Sequence, residues 1–299
     1  MVTGATGFIA GHLLRLLHAR GHQTVCVSRF PHAGAGLSGE WTTWDDLAQN
    51  PAKFAGIDAI VNLAGATINK RWTKRAKKRI YSSRIEATKR IAELVDRIKD
   101  KPKVVINGSG AGIYGTSETK IFTEQSEGQD SDFLGSVVRN WEAAADQIAG
   151  TRVVKLRPGV VLGSDGGAFP LMVLPYRLFA GGRIGSGKQW LPWIHIDDMA
   201  ESILFCIECE EISGPVNCAA PHHVTNDEFG RMLGDILRRP HWLPVPAFLM
   251  RLALGEMSML LLQGQRVAPQ KLLAHGFRFN FPELNPALQN LLMKRRDIP

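Results

Sequence analysis

Cysteine is scarce in this sequence, which limits both disulfide and metal chemistry. The 299 residues include four cysteines, and one pair, Cys206 and Cys209, has Cys-x-x-Cys spacing. The second pair that a zinc site of this type needs is missing. The pair lies within an apolar helical pattern, whereas a reactive thiolate is stabilised at a helix N-terminus. We therefore expect two packed thiols and no metal site.

Long apolar runs are also missing. The most apolar late stretch, 248–262, is interrupted by Arg251, Gly255 and Glu256, which excludes a transmembrane helix. A glycine turn follows Met1 within three residues, where a signal peptide would have a charged segment and an apolar run. The sequence thus predicts neither a membrane span nor secretion, and the cytoplasm is the expected compartment.

Acidic residues are outnumbered by basic ones, and the net charge is +8. Such a balance favours anionic partners such as phosphorylated cofactors, nucleic acid or a membrane surface. Ten of the lysines and arginines fall within 70–90, where we expect most of them to form a solvated helix face. Zinc-finger spacing and RNA-binding aromatic motifs are absent, so we expect no nucleic-acid partner.

Short apolar runs alternate with helical patterns through the first half of the chain. The runs at 24–28, 58–63, 104–107 and 153–156 are nearly continuous and rich in β-branched residues, as in strands buried on both faces. Helical patterns fill 8–20, 73–99 and 133–148, the second with a break near Ser82 left open. This alternation predicts a Rossmann-type α/β fold, a doubly wound parallel sheet.

The composition changes after Arg157. Glycine and proline become frequent, and mostly helical patterns separated by prolines run from Asn226 to the end. We expect a nucleotide-binding domain over 1–157 and a small, mostly helical C-terminal lobe over 158–299, which faces the substrate and interleaves with the first domain.

A glycine turn directly follows the first predicted strand. In Gly4-Ala5-Thr6-Gly7, Gly4 permits the tight turn and Gly7 permits close approach of the backbone to a pyrophosphate. The following helix would then point its free N–H groups and its dipole at the anion. An ordinary tight turn is the alternative, but the strand–turn–helix context favours dinucleotide binding.

The end of the second strand indicates which dinucleotide binds. NAD-preferring domains usually place a carboxylate there for the ribose 2′-hydroxyl, yet no Asp or Glu occurs between Gly4 and Glu40. Ser28-Arg29 stands at this position instead, and the planar guanidinium of Arg29 suits a 2′-phosphate. We therefore predict NADP(H) as the cofactor, with a surface arginine as the alternative for Arg29.

Four motifs along the chain occur together. They are Thr3-Gly4-Ala5-Thr6-Gly7-Phe8-Ile9, Asn62-Leu63-Ala64-Gly65, Leu156-Arg157-Pro158-Gly159-Val160-Val161-Leu162-Gly163 and Trp193-Ile194-His195-Ile196-Asp197-Asp198-Met199-Ala200. With them the chain resembles the extended or atypical short-chain dehydrogenase/reductase superfamily over essentially its whole length. Two further stretches, 185–195 and 255–284, are typical of the YfcH-type epimerase family proteins. The resemblance implies an NADP-binding fold, whereas the label "epimerase" comes from relatives in fold and is weak support for a reaction.

The resemblance also implies a set of cofactor contacts. They are Gly4, Ala5, Thr6, Gly7, Phe8, Ile9, Ser28, Arg29, Leu63, Ala64, Gly65, Arg84 and Val160. Relatives often carry Asn at the position of Arg84, so this cation could meet a cofactor or substrate phosphate; an exposed helix arginine is the alternative.

The catalytic pair of the superfamily is missing. Its members use Tyr-x-x-x-Lys, spaced so that both side chains face the cofactor from one helix. In the matching helix we align Leu134 and Val138 with these two positions, and neither can exchange a proton. Ser109 is the match for the partner serine, although a shift of one residue would place Gly110 there. Tyr114 is a candidate replacement acid, with packing under the loop as its alternative.

His195 and the Asp197-Asp198 pair also resemble catalytic groups. The two aspartates precede a predicted helix over 199–210, and we expect them to cap it. We expect a structural role for His195.

Three functions are compatible with these features. The leading hypothesis is an NADP(H)-dependent oxidoreductase or epimerase acting on an unknown small molecule. The second is a non-catalytic NADP-binding regulatory protein, related by analogy to cell division; the third, nucleic-acid binding, rests on charge alone. A homodimer is left open. Because only three residues precede Gly4, we also expect a few apolar residues upstream in the natural chain.

Overall fold

The computed structural model describes residues 1–30, 39–129 and 132–294 of the chain. Its strands are β1 (Val2–Thr3), β2 (Val25–Ser28), β3 (Glu40–Thr43), β4 (Ala59–Asn62), β5 (Val104–Gly108), β6 (Ile121–Phe122), β7 (Arg152–Pro158), β8 (Val160–Gly163), β9 (Gly166–Gly167), β10 (Trp190–Leu191), β11 (Trp193–His195), β12 (Gly214–Cys218), β13 (Val224–Thr225) and β14 (Arg266–Val267). Its helices are α1 (Phe8–Ala19), α2 (Trp44–Gln49), α3 (Lys74–Arg97), α4 (Phe133–Ala145), α5 (Phe169–Arg177), α6 (Ile196–Glu208), α7 (Asn226–Leu237), α8 (Ala247–Leu254), α9 (Met259–Leu262), α10 (Gln270–Ala274) and α11 (Leu284–Lys294).

Seven parallel strands form the central sheet, in the order β12-β7-β5-β4-β1-β2-β3. The predicted Rossmann-type α/β fold is confirmed. The order reverses between β1 and β4, and in such sheets ligands bind outside the carboxyl ends of the strands at this switch point.

Successive residues of one strand pack into different cores, which explains the continuous apolar runs. Ile60 of β4 belongs to a core that includes Ile91 and Leu94 of α3. Its neighbour Val61 belongs to a core that includes Leu13 of α1 and Ile203 of α6. Side chains alternate across a strand, so helices on both faces require apolar residues at both positions.

The predicted helices form with small shifts at their ends. The helix α3 runs unbroken past Ser82, so the break left open there does not occur. Thr73 caps α3 through a hydrogen bond from the Ala76 N–H. In α4 the side chain of Asp132 caps the helix by accepting from the Gly135 N–H. These caps fix where the two helices of one face begin.

Beyond Arg157 the chain contributes one further strand to the central sheet and also forms a second core. β12 adds to β7 at one edge of the central sheet. The remaining elements build a second core from α5, α7 and α11, in which Val173, Phe229 and Leu288 are buried together. The helix α7 carries a capping box between Thr225 and Glu228.

The expected cap of α6 is corrected by the structure. The helix begins at Ile196, and its cap is His195, whose Nδ1 accepts from the Asp197 N–H at 3.1 Å. Asp197 and Asp198 therefore lie in the first turn rather than at the cap. Buried Asp198 accepts from the backbone N–H groups of Asn280 (2.7 Å) and Phe281 (2.9 Å).

The predicted pair of packed thiols, Cys206 and Cys209, consists of free thiols, of which only Cys206 is buried in the core. All four are free thiols; Cys206 is fully buried, whereas Cys209 caps α6 and is partly exposed. Burial raises the pKa of the Cys206 thiol well above its usual value, so this thiol stays protonated at neutral pH. Within the described ranges, no group of His, Cys, Asp or Glu side chains could hold a metal ion, and no helix is long and apolar enough to cross a membrane.

Candidate functional site

A cleft of about 560 Å³ lies at the carboxyl ends of the central strands, where the strand order reverses. Among the predicted cofactor contacts, those that line it are Gly4, Gly7, Phe8, Ile9, Leu63, Gly65, Arg84 and Val160. Ala5, Thr6 and Ala64 belong to the same turns, while Ser28 and Arg29 lie at the end of β2, next to β1 in the sheet. The strands thus bring segments distant in sequence to one side of the sheet.

The turn after β1 has a shape that only glycine can adopt. Gly4 has φ +65°, and a Cβ at this position would lie 2.8 Å from the Leu63 carbonyl oxygen and 2.9 Å from the Ala64 nitrogen. Gly7 then caps α1 without any side-chain hydrogen bond. The N–H groups of the first helical turn are therefore left for a ligand, and the helix dipole makes an anion the preferred one.

A buried hydrogen-bond network holds the strand ends beneath the cleft. Asn62 of β4 donates to the Thr88 hydroxyl (3.0 Å) and to the Asn107 side-chain oxygen (2.7 Å), and it accepts from Thr3 (2.6 Å). The Trp141 indole donates to the same Thr88 hydroxyl at 2.9 Å. This network joins β1, β4, β5, α3 and α4, so it fixes the floor of the site.

Arg84 of α3 is a desolvated cation in the wall of the cleft. Its guanidinium donates to the carbonyl oxygens of Ala66 and Ile80, each at 3.0 Å, and its central carbon lies 5.1 Å from the Trp141 ring centroid. A Cβ on Gly65 would come within 3.1 Å of the same carbon. Burial lowers the pKa of Arg84 to about 10. No carboxylate within the described ranges pairs with it, so an anionic ligand would supply the missing counter-charge.

The end of β2 carries the second predicted cation. Ser28 is buried and its hydroxyl donates to the Phe30 carbonyl oxygen, which fixes the turn out of the strand. Arg29 is exposed, and its guanidinium carbon lies 6.0 Å from the Phe30 ring centroid. This exposed guanidinium forms no ion pair with any described residue, so no carboxylate among them competes with a phosphate for it.

Ser109 lies in the cleft directly after β5, and its hydroxyl is engaged. It donates to a Glu142 carboxylate oxygen at 2.5 Å. The same carboxylate accepts two hydrogen bonds from Arg157, at 2.7 Å from Nε and at 2.8 Å from Nη2. Because the serine hydrogen points to Glu142, the oxygen lone pairs are what Ser109 offers to the cleft.

Tyr114 does not line the cleft. Its side chain is fully buried, and its hydroxyl donates to the Asn217 side-chain oxygen (2.7 Å) and accepts from Arg157 (2.9 Å). Burial raises the pKa of the phenol. The geometry is that of the packing alternative: the hydroxyl completes the network behind Ser109 instead of facing a ligand.

The face of α4 that borders the cleft is apolar. Leu134 and Val138, the residues aligned with the missing Tyr and Lys, both line it. A Cβ on Gly112 would lie 3.7 Å from the Leu134 Cβ, and one on Gly110 would lie 3.5 Å from a Val138 methyl carbon. The two positions do face the site together, as their spacing of four requires.

Sequence patterns did not predict several residues of the site. They did not indicate that the Glu142–Arg157 pair, the Asn62–Asn107 contact or the segment 259–265, which lines part of the cleft, would take part. Two features of the sequence could have indicated the pair: Glu142 lies within an apolar helix face, and Arg157 lies near the end of a largely apolar strand. The segment 259–265 carries no motif with a mechanism, so its position depends on the tertiary fold.

Fold and site together define a nucleotide-binding α/β protein of the short-chain dehydrogenase/reductase type. The profile of the NAD dependent epimerase/dehydratase family matches residues 1–219, and that of a domain of unknown function matches residues 245–291. The chain belongs to the NAD dependent epimerase/dehydratase family.

Proteins similar over their full length carry the name "epimerase family protein". YfhF of Bacillus subtilis is 43% identical over 300 residues, 99% of each chain, and human SDR39U1 is 41% identical over 298 residues, 98% of this chain and 99% of its own. A crystal structure of human SDR39U1 with NADPH has a TM-score of 0.91 at 39% identity and covers 99% of both chains. These relatives give no support to a link with cell division.

Proposed function

We propose that the chain binds NADP(H) in this cleft. The observation that carries the proposal is the pairing of the Gly4 turn with an α1 N-terminus that has no side-chain cap. The human relative of similar fold was crystallised with NADPH. A pyrophosphate would accept from the first-turn N–H groups of α1, and Gly4 leaves the room that a Cβ would fill.

Two cations support the phosphorylated form of the cofactor. Arg29, at the end of β2, would hold the 2′-phosphate, with Ser28 fixing the backbone beneath it. Arg84, within the cleft, would meet a second anionic group of the cofactor. Both guanidinium groups are uncompensated by carboxylates of the described chain, so each gains an ion pair when a phosphate binds.

We further propose that the bound cofactor serves an oxidoreductase or epimerase reaction on a small molecule. The cofactor would supply hydride transfer. Leu134 and Val138 would exclude water from the adjacent space, and the Ser109 oxygen would accept a hydrogen bond from a ligand hydroxyl or amide. Among the described residues that line the cleft, the ionisable side chains are Arg84 and Asp132, so a tyrosine on α4 does not provide the proton.

The same lack of a proton donor favours a second candidate, a non-catalytic NADP-binding regulatory protein. In that case the cofactor would report a cellular redox state to a partner. Oxidation of NADPH during prolonged incubation of concentrated protein with a panel of carbonyl compounds separates the two candidates, because the enzyme consumes the cofactor in proportion to substrate, however slowly, and the regulatory protein does not.

Two finer assignments are also part of the proposal. The chain groups with the YfcH-type members of its family, on the basis of the stretches 185–195 and 255–284. Residues 1–157 would bind the cofactor and residues 158–299 would face the substrate. From the second part, β12 adds a strand to the central sheet.

Calorimetric titration with NADPH tests the binding proposal. We expect micromolar or tighter affinity for the wild-type chain. Arg84→Met, which keeps an unbranched flexible side chain but removes the charge, should weaken binding about tenfold or more, because a charge-assisted hydrogen bond contributes about 1.5–3 kcal/mol. Absence of NADPH binding to the folded wild-type protein would refute the proposal.

A further inference from the structure

The cleft extends well beyond the residues expected to hold a dinucleotide. Its lining also includes Met259, Leu260, Gln263, Gly264 and Gln265 of the C-terminal segment 259–265, and we call the part of the cleft next to this segment the closed end. Leu134 of α4, Ile68, Met259 and Leu260 pack there around a common apolar cluster. The closed end therefore has an aliphatic wall to which the loop after β4, α4 and α9 all contribute.

The polar groups at the closed end are neutral. Gln263 and Gln265 line it from the C-terminal side, and Thr116 lines it from the segment after β5. Amides and a hydroxyl can donate to or accept from a carbonyl or an alcohol, but they do not neutralise charge. Two ionisable residues of the described chain line the cleft. Arg84 packs beside Gly65 and Trp141, where the proposed function assigns its charge to the cofactor, and the Asp132 carboxylate caps α4.

Two further cations close to this region in the fold do not alter its character. Lys77 forms an ion pair with Glu256, so its charge is already compensated. Arg266 stacks against Trp190, with its guanidinium carbon 4.8 Å from the ring centroid, and is not among the residues that line the cleft. A second dinucleotide-like ligand would need cations or clustered N–H groups for its diphosphate, since burying an unpaired anion is costly.

We infer that the closed end takes an uncharged, largely apolar carbonyl compound or alcohol, and not a nucleoside-diphosphate sugar. The inference rests on the proposed function, because it assigns the rest of the cleft to NADP(H). The aliphatic wall of Leu134, Met259 and Leu260 supplies affinity by removing apolar surface from water. The amides of Gln263 and Gln265 orient the single oxygen function.

The test uses the protein loaded with NADP⁺, so that no hydride can pass to a ketone. The loaded protein is titrated by calorimetry with acetophenone, 2-heptanone and UDP-glucose. We expect the ketones to bind and UDP-glucose not to bind. Leu260→Glu should weaken ketone binding at least tenfold, because it places a carboxylate in the aliphatic wall. The matched control is Leu252→Glu, at a side chain of α8 that is 76% exposed, and it should leave ketone binding unchanged.

The outcomes separate this inference from the proposed function. If NADP⁺ itself fails to bind, the proposed function is refuted and the inference with it. If NADP⁺ binds and UDP-glucose binds as well, or if neither ketone binds, the inference alone is overturned. Equal ketone affinity in Leu260→Glu and Leu252→Glu would also overturn it, because the ketone would then bind away from the closed end. Thermal unfolding of both variants checks that each is folded.

Discussion

The Ser109 hydroxyl donates its hydrogen to Glu142 at 2.5 Å, and this bond turns the serine away from the role that its position suggests. The family resemblance aligns Ser109 with the partner serine of the Tyr-x-x-x-Lys pair. Here the hydrogen is held by a buried carboxylate that also accepts two bonds from Arg157. Ser109 is therefore set as an acceptor toward the cleft, beside an α4 face made of Leu134 and Val138.

Glu142→Gln should lower the free energy of unfolding by about 3–5 kcal/mol, because it leaves the buried Arg157 guanidinium without a carboxylate. Urea unfolding measures the change. The matched control is Glu93→Gln, an exposed glutamate on α3, which should stay within about 0.5 kcal/mol of the wild-type chain. Equal stability of the two variants would show that the pair does not hold the site together.

Tyr114→Phe tests whether this tyrosine is structural. The variant removes an acceptor from Arg157 and a donor from Asn217 in a fully buried place, so we expect a loss of about 1–3 kcal/mol in the free energy of unfolding. NADPH affinity should not change, since the side chain does not line the cleft. Tyr81→Phe, at an exposed position of α3, is the control. A large loss of turnover at unchanged stability would instead assign Tyr114 to catalysis.

The wild-type protein should bind NADPH yet turn over ordinary alcohols, ketones and nucleotide sugars slowly or not at all. A positioned general acid contributes about 10²–10⁴-fold in rate, and the α4 face lacks one. The double variant Leu134→Tyr with Val138→Lys restores the pair at the correct spacing, and we expect it to gain measurable NADPH oxidation on ketones. Leu134→Phe with Val138→Met controls for size. Brisk turnover of a nucleotide sugar by the unmodified protein would contradict this account.

Local patterns were enough to predict the sheet and the dinucleotide turn. The strands after Thr24, Asp58 and Lys103 are short apolar runs buried on both faces, a signal that does not depend on distant contacts. The Gly4 turn was predictable in the same way, because its positive φ demands glycine whatever packs around it.

The parts of the site that the sequence did not predict depend on contacts between segments that are distant in sequence. Glu142 and Arg157 lie on different elements, and the closed end requires Met259 to meet Leu134 across more than a hundred residues of sequence. The cap of α6 was missed for a local reason. Aspartate is the stronger capping residue by preference, but His195 already ends β11 in the extended conformation that a cap needs.

The cofactor preference at Arg29 tests the central claim most directly. NADPH and NADH are titrated calorimetrically into the wild-type protein, into Arg29→Ala and into Arg75→Ala, a control at an exposed arginine of α3. We expect NADPH to bind more tightly than NADH to the wild-type chain. Arg29→Ala should weaken NADPH by roughly 10- to 100-fold and leave NADH nearly unchanged, which corresponds to one charge-assisted hydrogen bond. Equal losses for both cofactors, or no loss for either, would contradict the assignment of this cleft to NADP(H).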